Sequence, residues 1–181
     1  ERFVKPRADS DPIGLFPDGY YLVTLQSVAS IDNIFPAIAG AIGFEFYEAR
    51  HPERQLINHL GDRQLLLILD NLEHLLDAGD PIGVLLSGAP RLKLLVTSRE
   101  PVNLHQEWLF HVEGMPYPTV EEVTIDSYEA VGLFVERAHR VRHDFSLDDD
   151  RTCVVRLCQL VDGMPLAIEL AAAWLKSLTC E

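Results

Sequence analysis

Basic residues are scarce in this 181-residue sequence: 15 Lys and Arg stand against 28 Asp and Glu, a formal net charge of -13 with a pI near 4.8. A surface of that sign repels phosphate backbones, which excludes this stretch from holding DNA or RNA through clustered cationic contacts. Lysine is rarest: Lys5, Lys93 and Lys176 are the whole set, and none follows a glycine. That excludes a phosphate-binding loop of the pattern G-x-x-x-x-G-K-[ST] within these residues. Cysteine is scarce too. Cys153, Cys158 and Cys180 are an odd number without CxxC spacing, which argues against a disulfide framework or a zinc ribbon and fits a reducing cytoplasm. Apolar runs stay far below the ~18 residues of a membrane span. With neither an initiator Met nor a signal peptide, the sequence reads as a piece of a longer protein.

What remains is ordinary globular material, 48% hydrophobic and 24% charged, long enough for one sizeable core or for a core with a smaller domain attached. The Pro-rich start through "FPDG" reads as loop. "YYLVTL", Tyr20 to Leu25, then reads as a strand, and "IDNIFPAIAGAIGF" as a helix starting near Pro36. Pro52 opens a second helix, "PERQLINHL", with Gly61 closing it. "QLLLILD" is a continuous apolar run suited to a strand covered on both faces. "PIGVLLSGAP" predicts a short helix, "RLKLLVTSRE" another buried strand and "EWLFHV" a further one. Alternating strands and helices predict a parallel α/β sheet over residues 1–117. After the connector "GMPYPTVEEV" the strands stop, and residues 118–181 read as a small all-helical domain. Asp126 with Glu129, and Ser146 with Asp149, look like capping pairs opening two of its helices; Pro165 opens the last, "PLAIELAAAWLKSL".

In a parallel sheet, ligands collect beyond the carboxyl ends of the strands, so polar residues there carry the candidate chemistry. Asp70 ends the strand Leu65 to Leu69; a carboxylate there can hold Mg²⁺ that bridges phosphate oxygens, or Asp70 or Asn71 can cap a helix "LEHLLDAG". "LLVTSRE" brings Thr97, Ser98 and Arg99 to the same edge. The Arg99 guanidinium can fork onto a terminal phosphate, or simply pair with an acid at the surface.

Taken together, "LLLILDNLEHLL", "LKLLVTSRE", "EAVGLFVERA" and "LVDGMPLAIELAAAWL" resemble, in order and spacing, the NB-ARC-like ATPases of the STAND class found in bacterial multidomain transcriptional regulators. "DGMPLAIEL" is the most specific element, matching the family's GLPLA segment with Met164 in place of Leu. The resemblance implies a P-loop NTPase-type sheet, here without its first strand and phosphate loop, followed by the helical domain. It implies that Asp70 is the Walker B acid on Mg²⁺ and Arg99 the sensor of the γ-phosphate. It implies also that Gly163 and Pro165 set a helix start against the adenine of ATP or ADP. Slow ATPase activity would belong to the intact protein. The implied partners are the segment carrying the Walker A loop and downstream winged-helix or repeat domains, with a homo-oligomer allowed and no membrane or direct nucleic-acid contact.

Two departures shape the expectation. The lysine loop is not in these residues, so this piece alone is expected to bind nucleotide weakly or not at all. Asn71 stands where many such ATPases carry a second acid, and an amide cannot act as a base; Glu73 is a substitute or a favourable charge at a helix start. The alternative function is a nucleotide-independent interaction scaffold of the same fold. Other motifs are set aside. His139 and His143 have metal-pair spacing but no third ligand, and a helix C-terminus explains them. Asp148 to Asp150 suit a helix start rather than a calcium loop, and Ser98 lacks the G-x-S-x-G context of a hydrolase.

Overall fold

The computed structural model describes residues 14–48, 50–75, 79–120, 122 and 124–177. It divides into two compact units, with the boundary between Leu109 and Phe110.

The first unit is built on three parallel strands in the order β1 (Tyr20–Thr24), β2 (Leu66–Asp70), β3 (Lys93–Val96). Helices α1 (Ile34–Ile42) and α2 (Pro52–Leu60) connect β1 to β2, and α3 (Gly79–Gly88) connects β2 to β3. Ser30 accepts the Asp32 N–H and starts a single 3₁₀ turn, so α1 begins two residues before Pro36, which sits harmlessly in its first turn. Pro52 occupies the first turn of α2 as its missing N–H allows. The core gathers Val23, Ile38, Leu56, Leu60, Leu67, Leu69, Ile82 and Leu85, all but sealed from solvent. Gln55, the buried polar residue among those described, is fully used. Its amide accepts the N–H groups of Tyr47 and Glu48 and donates to the carbonyls of Glu48 and Arg50.

Three expectations are corrected here. β3 is not a buried strand: Lys93 and Leu95 are exposed, as befits an edge whose neighbour among the described residues is β2 alone. "EWLFHV" forms no strand. Trp108, Phe110 and Val112 are 96%, 89% and 87% exposed, and alternation alone does not make a strand when no described residue pairs with it. "LEHLLDAG" does not begin a helix after Asn71. Leu72 to Leu75 form a turn closed by Leu75 N–H to Leu72 O (2.8 Å), and residues 76–78 lie outside the described set.

The second unit is a helical trio, α4 (Glu129–Val141), α5 (Leu147–Leu160) and α6 (Pro165–Trp174). One apolar stripe of α4 faces inward: Ala130, Val131, Phe134 and Ala138 are buried and Val141 half-buried. They meet Val154, Val155 and Cys158 of α5 and Ile168 and Ala172 of α6 in one cluster. The capping pairs fare differently from expectation. Tyr128, not Asp126, precedes α4, with its hydroxyl on the Glu122 carboxylate, because a turn at 126–127 delays the helix. Ser146 does precede α5, yet its hydroxyl makes no capping bond, and Asp148, Asp149 and Asp150 supply first-turn charge instead. Asp150 also pairs with Arg142 at 2.7 Å. Cys153 is disulfide-bonded, correcting the expectation of no cross-link, since an odd cysteine count still permits one pair. Cys158 is free and buried.

Candidate functional site at the carboxyl edge of the sheet

The parallel register sets Leu69 beside Val96, so the next residues, Asp70 and Thr97, leave the sheet side by side. The ladder runs one step further than the strands. Thr97 N–H donates to Leu69 O (3.0 Å), and Leu72 N–H donates to Thr97 O (3.1 Å). Between these two backbone clamps the Thr97 hydroxyl donates to Asp70 Oδ1 at 2.6 Å and accepts the Asn71 N–H at 3.1 Å. On the other side of β2, Leu25 N–H donates to Asp70 O (2.9 Å). Asp70 is therefore fixed from both neighbouring strands. The helix-cap role open to it in the sequence is not realised, since no helix starts at 72.

Asn71 follows with φ +64, in the left-handed region, and its side-chain amide donates to Glu73 Oε1 at 3.4 Å. Asn enters that region more readily than most residues with a Cβ. The geometry thus supplies a backbone reason for an amide at this position. Glu73 also faces Arg99, whose Nε lies 3.8 Å from Glu73 Oε1 while the side chain is 87% exposed. Asp70, Asn71, Glu73, Thr97 and Arg99 accordingly form one polar cluster at the edge where a parallel sheet receives ligands. The bond from Thr97 to Asp70 was not anticipated from sequence. Aligning the two strand ends in parallel register is the signal that reveals it.

Gly163 and Pro165 belong to the second unit. Gly163 has φ +65, and a Cβ placed on it would stand 2.0 Å from Met115 O; one on Gly114 would stand 1.9 Å from Asp162 O. Met115 N–H donates to Gly163 O at 2.8 Å, so the connector and the turn between α5 and α6 cross backbone against backbone. Tyr117 adds a bond from its hydroxyl to Asp162 Oδ1 (2.8 Å); that bond, and then the Asp162 charge, raise the phenol above its ordinary pKa. Pro165, exposed, opens α6 at its first turn. A shallow groove of about 470 Å³ along α5, lined by Asp149, Thr152, Arg156 and Leu160 among others, contains none of the predicted residues. His139 lies in the last turn of α4 with its ring 5.8 Å from that of Phe145. Among the described residues no group of three or more His, Cys, Asp or Glu side chains could by itself hold a metal ion, and no helix is long and apolar enough to cross a membrane.

In class, then, the chain is an α/β protein: a small parallel sheet with a polar cluster at its carboxyl edge, and a helical unit. No protein-family model matches it. A "putative HTH-type transcriptional regulator" of Mycobacterium tuberculosis is 36% identical over 164 residues, which is 90% of this chain and 18% of that protein. A protein of the same description from Mycobacterium bovis matches to the same extent. A further Mycobacterium tuberculosis protein, whose name carries no function, is 36% identical over 160 residues, 87% of this chain and 38% of its own length. The chain is thus related to proteins named as transcriptional regulators and spans less than two fifths of each.

Proposed function

We propose that this chain is the nucleotide-responsive switch region of a longer transcriptional regulator, an NB-ARC-like P-loop NTPase unit of the STAND class with its helical domain. The observation that carries the reading is the cluster at the sheet edge, where Asp70 ends the central strand and Thr97 and Arg99 leave β3 beside it. Relatives named as regulators support the output side of the proposal.

In this reading Asp70 is the residue that holds Mg²⁺. The donor set fits that ion: Asp70 Oδ2 has no hydrogen-bond partner among the described residues, and one carboxylate oxygen suffices when water and phosphate supply the rest. Bound there, Mg²⁺ would neutralise charge on the phosphates of ATP or ADP. Arg99 exchanges the distant Glu73 carboxylate for a terminal phosphate, which distinguishes ATP from ADP. Asn71, an amide turned toward Glu73, supplies no base, so turnover is slow and the bound nucleotide carries the signal. Gly163 and Pro165 shape the helix start that meets the adenine. The Walker A loop comes from a segment outside these residues, and winged-helix or repeat domains of the intact protein, or further copies of it, receive the change.

Titrating the intact protein with ATP and ADP, with and without Mg²⁺, tests this. Asp70→Ala is expected to abolish the Mg²⁺-dependent part of the affinity, and Arg99→Ala to lose about ten- to a hundredfold for ATP with ADP little changed, in line with the roughly 1.5–3 kcal/mol of a charge-assisted bond. Unchanged binding in both variants would reject the assigned roles.

The second reading is a nucleotide-independent interaction scaffold. It is favoured by Leu166, Leu170 and Trp174, which fall on one stripe of α6 and are 69%, 55% and 66% exposed. Wild-type protein that binds no nucleotide would select it.

A further inference from the structure

We propose that Thr97 is the positioning residue of the Asp70 carboxylate, fixing which of its oxygens is offered to a hydrated divalent cation. The proposal rests on the nucleotide reading above and adds to it a residue that acts through Asp70 without touching the ligand.

A threonine hydroxyl has one proton to give. Because the Thr97 oxygen accepts the Asn71 N–H at 3.1 Å, its own proton is directed to Asp70 Oδ1, at the 2.6 Å typical of a donor facing a charged acceptor. Oδ1 is thereby engaged on the protein side, and Oδ2 is the oxygen without a hydrogen-bond partner among the described residues. Thr97 is well built for such a task. Its Cβ branching restricts χ1, and its backbone is clamped on both sides, by Thr97 N–H to Leu69 O (3.0 Å) and by Leu72 N–H to Thr97 O (3.1 Å). Valine keeps that shape and loses the proton; serine keeps the proton and loses the methyl. The same hydroxyl holds the first amide after the strand, so the carboxylate and the left-handed turn at Asn71 are set by one atom. Groups that orient a metal-binding side chain typically change metal affinity by about ten- to a hundredfold when removed.

The test uses the intact protein and compares wild type, Thr97→Val and Thr97→Ser. The readout is the ratio of ATP affinity with Mg²⁺ to that without, with the electron paramagnetic resonance spectrum of Mn²⁺ in the ATP complex as a direct view of the ion. T97V is expected to lower that ratio about tenfold or more, leave metal-free ATP affinity near wild type, and alter the Mn²⁺ spectrum, whatever the loss of the Asn71 N–H acceptor does to the unfolding midpoint. T97S is expected to restore ratio and spectrum. A merely structural role would move the unfolding midpoint and leave the ratio alone. A T97V ratio equal to wild type, or a T97S ratio as low as that of T97V, overturns the role of Thr97 while the nucleotide reading stands. A wild-type ratio of one overturns the nucleotide reading and this proposal with it. If T97V does not fold, Thr97→Ala carries the same expectation.

Discussion

The sheet unit and the helical unit solve the same burial problem with different degrees of closure. In the helical unit α4 packs on both α5 and α6, Phe134 is sealed at the centre, and the connector is stitched to the turn before α6 by direct backbone contact. In the sheet unit β2 is flanked on both sides, whereas β3 is flanked, among the described residues, on one, and its Leu95 faces solvent. The polar cluster sits where closure is least complete, on the turns just past β2 and β3. A fixed central strand with exposed turns at its end holds side chains in place yet leaves them reachable. The helical unit has its rigidity in the opposite place, at the Gly163 crossing itself.

Substitutions inside each core separate the two units most directly. Phe134→Ala should cost about 3–5 kcal/mol and raise hydrogen exchange throughout α4 to α6, while Leu67→Ala should cost about 2–5 kcal/mol and act on β1 to β3. If either substitution melted both units equally, the two cores would not be separate cooperative bodies. Gly163→Ala comes next. Its Cβ meets the Met115 carbonyl oxygen at 2.0 Å with φ at +65, so urea denaturation should show a loss of roughly 1–3 kcal/mol. A control in the same unit has the opposite sign: Gly132 lies inside α4 with nothing near its missing Cβ, and Gly132→Ala should gain about 0.5–1 kcal/mol. The smallest effect concerns Cys158, whose thiol burial pushes up from 9.0 to about 11. The unfolded thiol ionises first, so between pH 9 and 11 the unfolded state binds fewer protons and stability falls as pH rises. Urea midpoints taken across that window should drop less in Cys158→Ala than in wild type.

What the residues disclosed, and what they concealed, follows from how local each signal is. Pro52 and Pro165 mark helix starts because the constraint lies in the residue itself, and the apolar run before Asp70 marks β2 because burial needs no partner to be specified. The stripe of α4 is equally local. "EWLFHV" misleads for the converse reason, since a strand is defined by the chain beside it. Asp126 looked like a cap from spacing alone, but the turn at 126–127 defers α4 to Glu129. At the candidate site Asp70 and Arg99 stand out as charged residues ending apolar runs. The contact between Thr97 and Asp70 depends on register between strands 27 positions apart, which no single stretch of sequence contains.

The crossing of Gly114 and Gly163 reaches beyond stability. Each glycine is required by the backbone of the residue next to the other, Asp162 facing Gly114 and Met115 facing Gly163, so neither position accepts a side chain unless the connector and the α5–α6 turn separate. The pair is therefore a fingerprint legible in any related sequence. Glycine at both positions announces that the connector is pinned to the start of α6, and a side chain at either announces a different route for the chain.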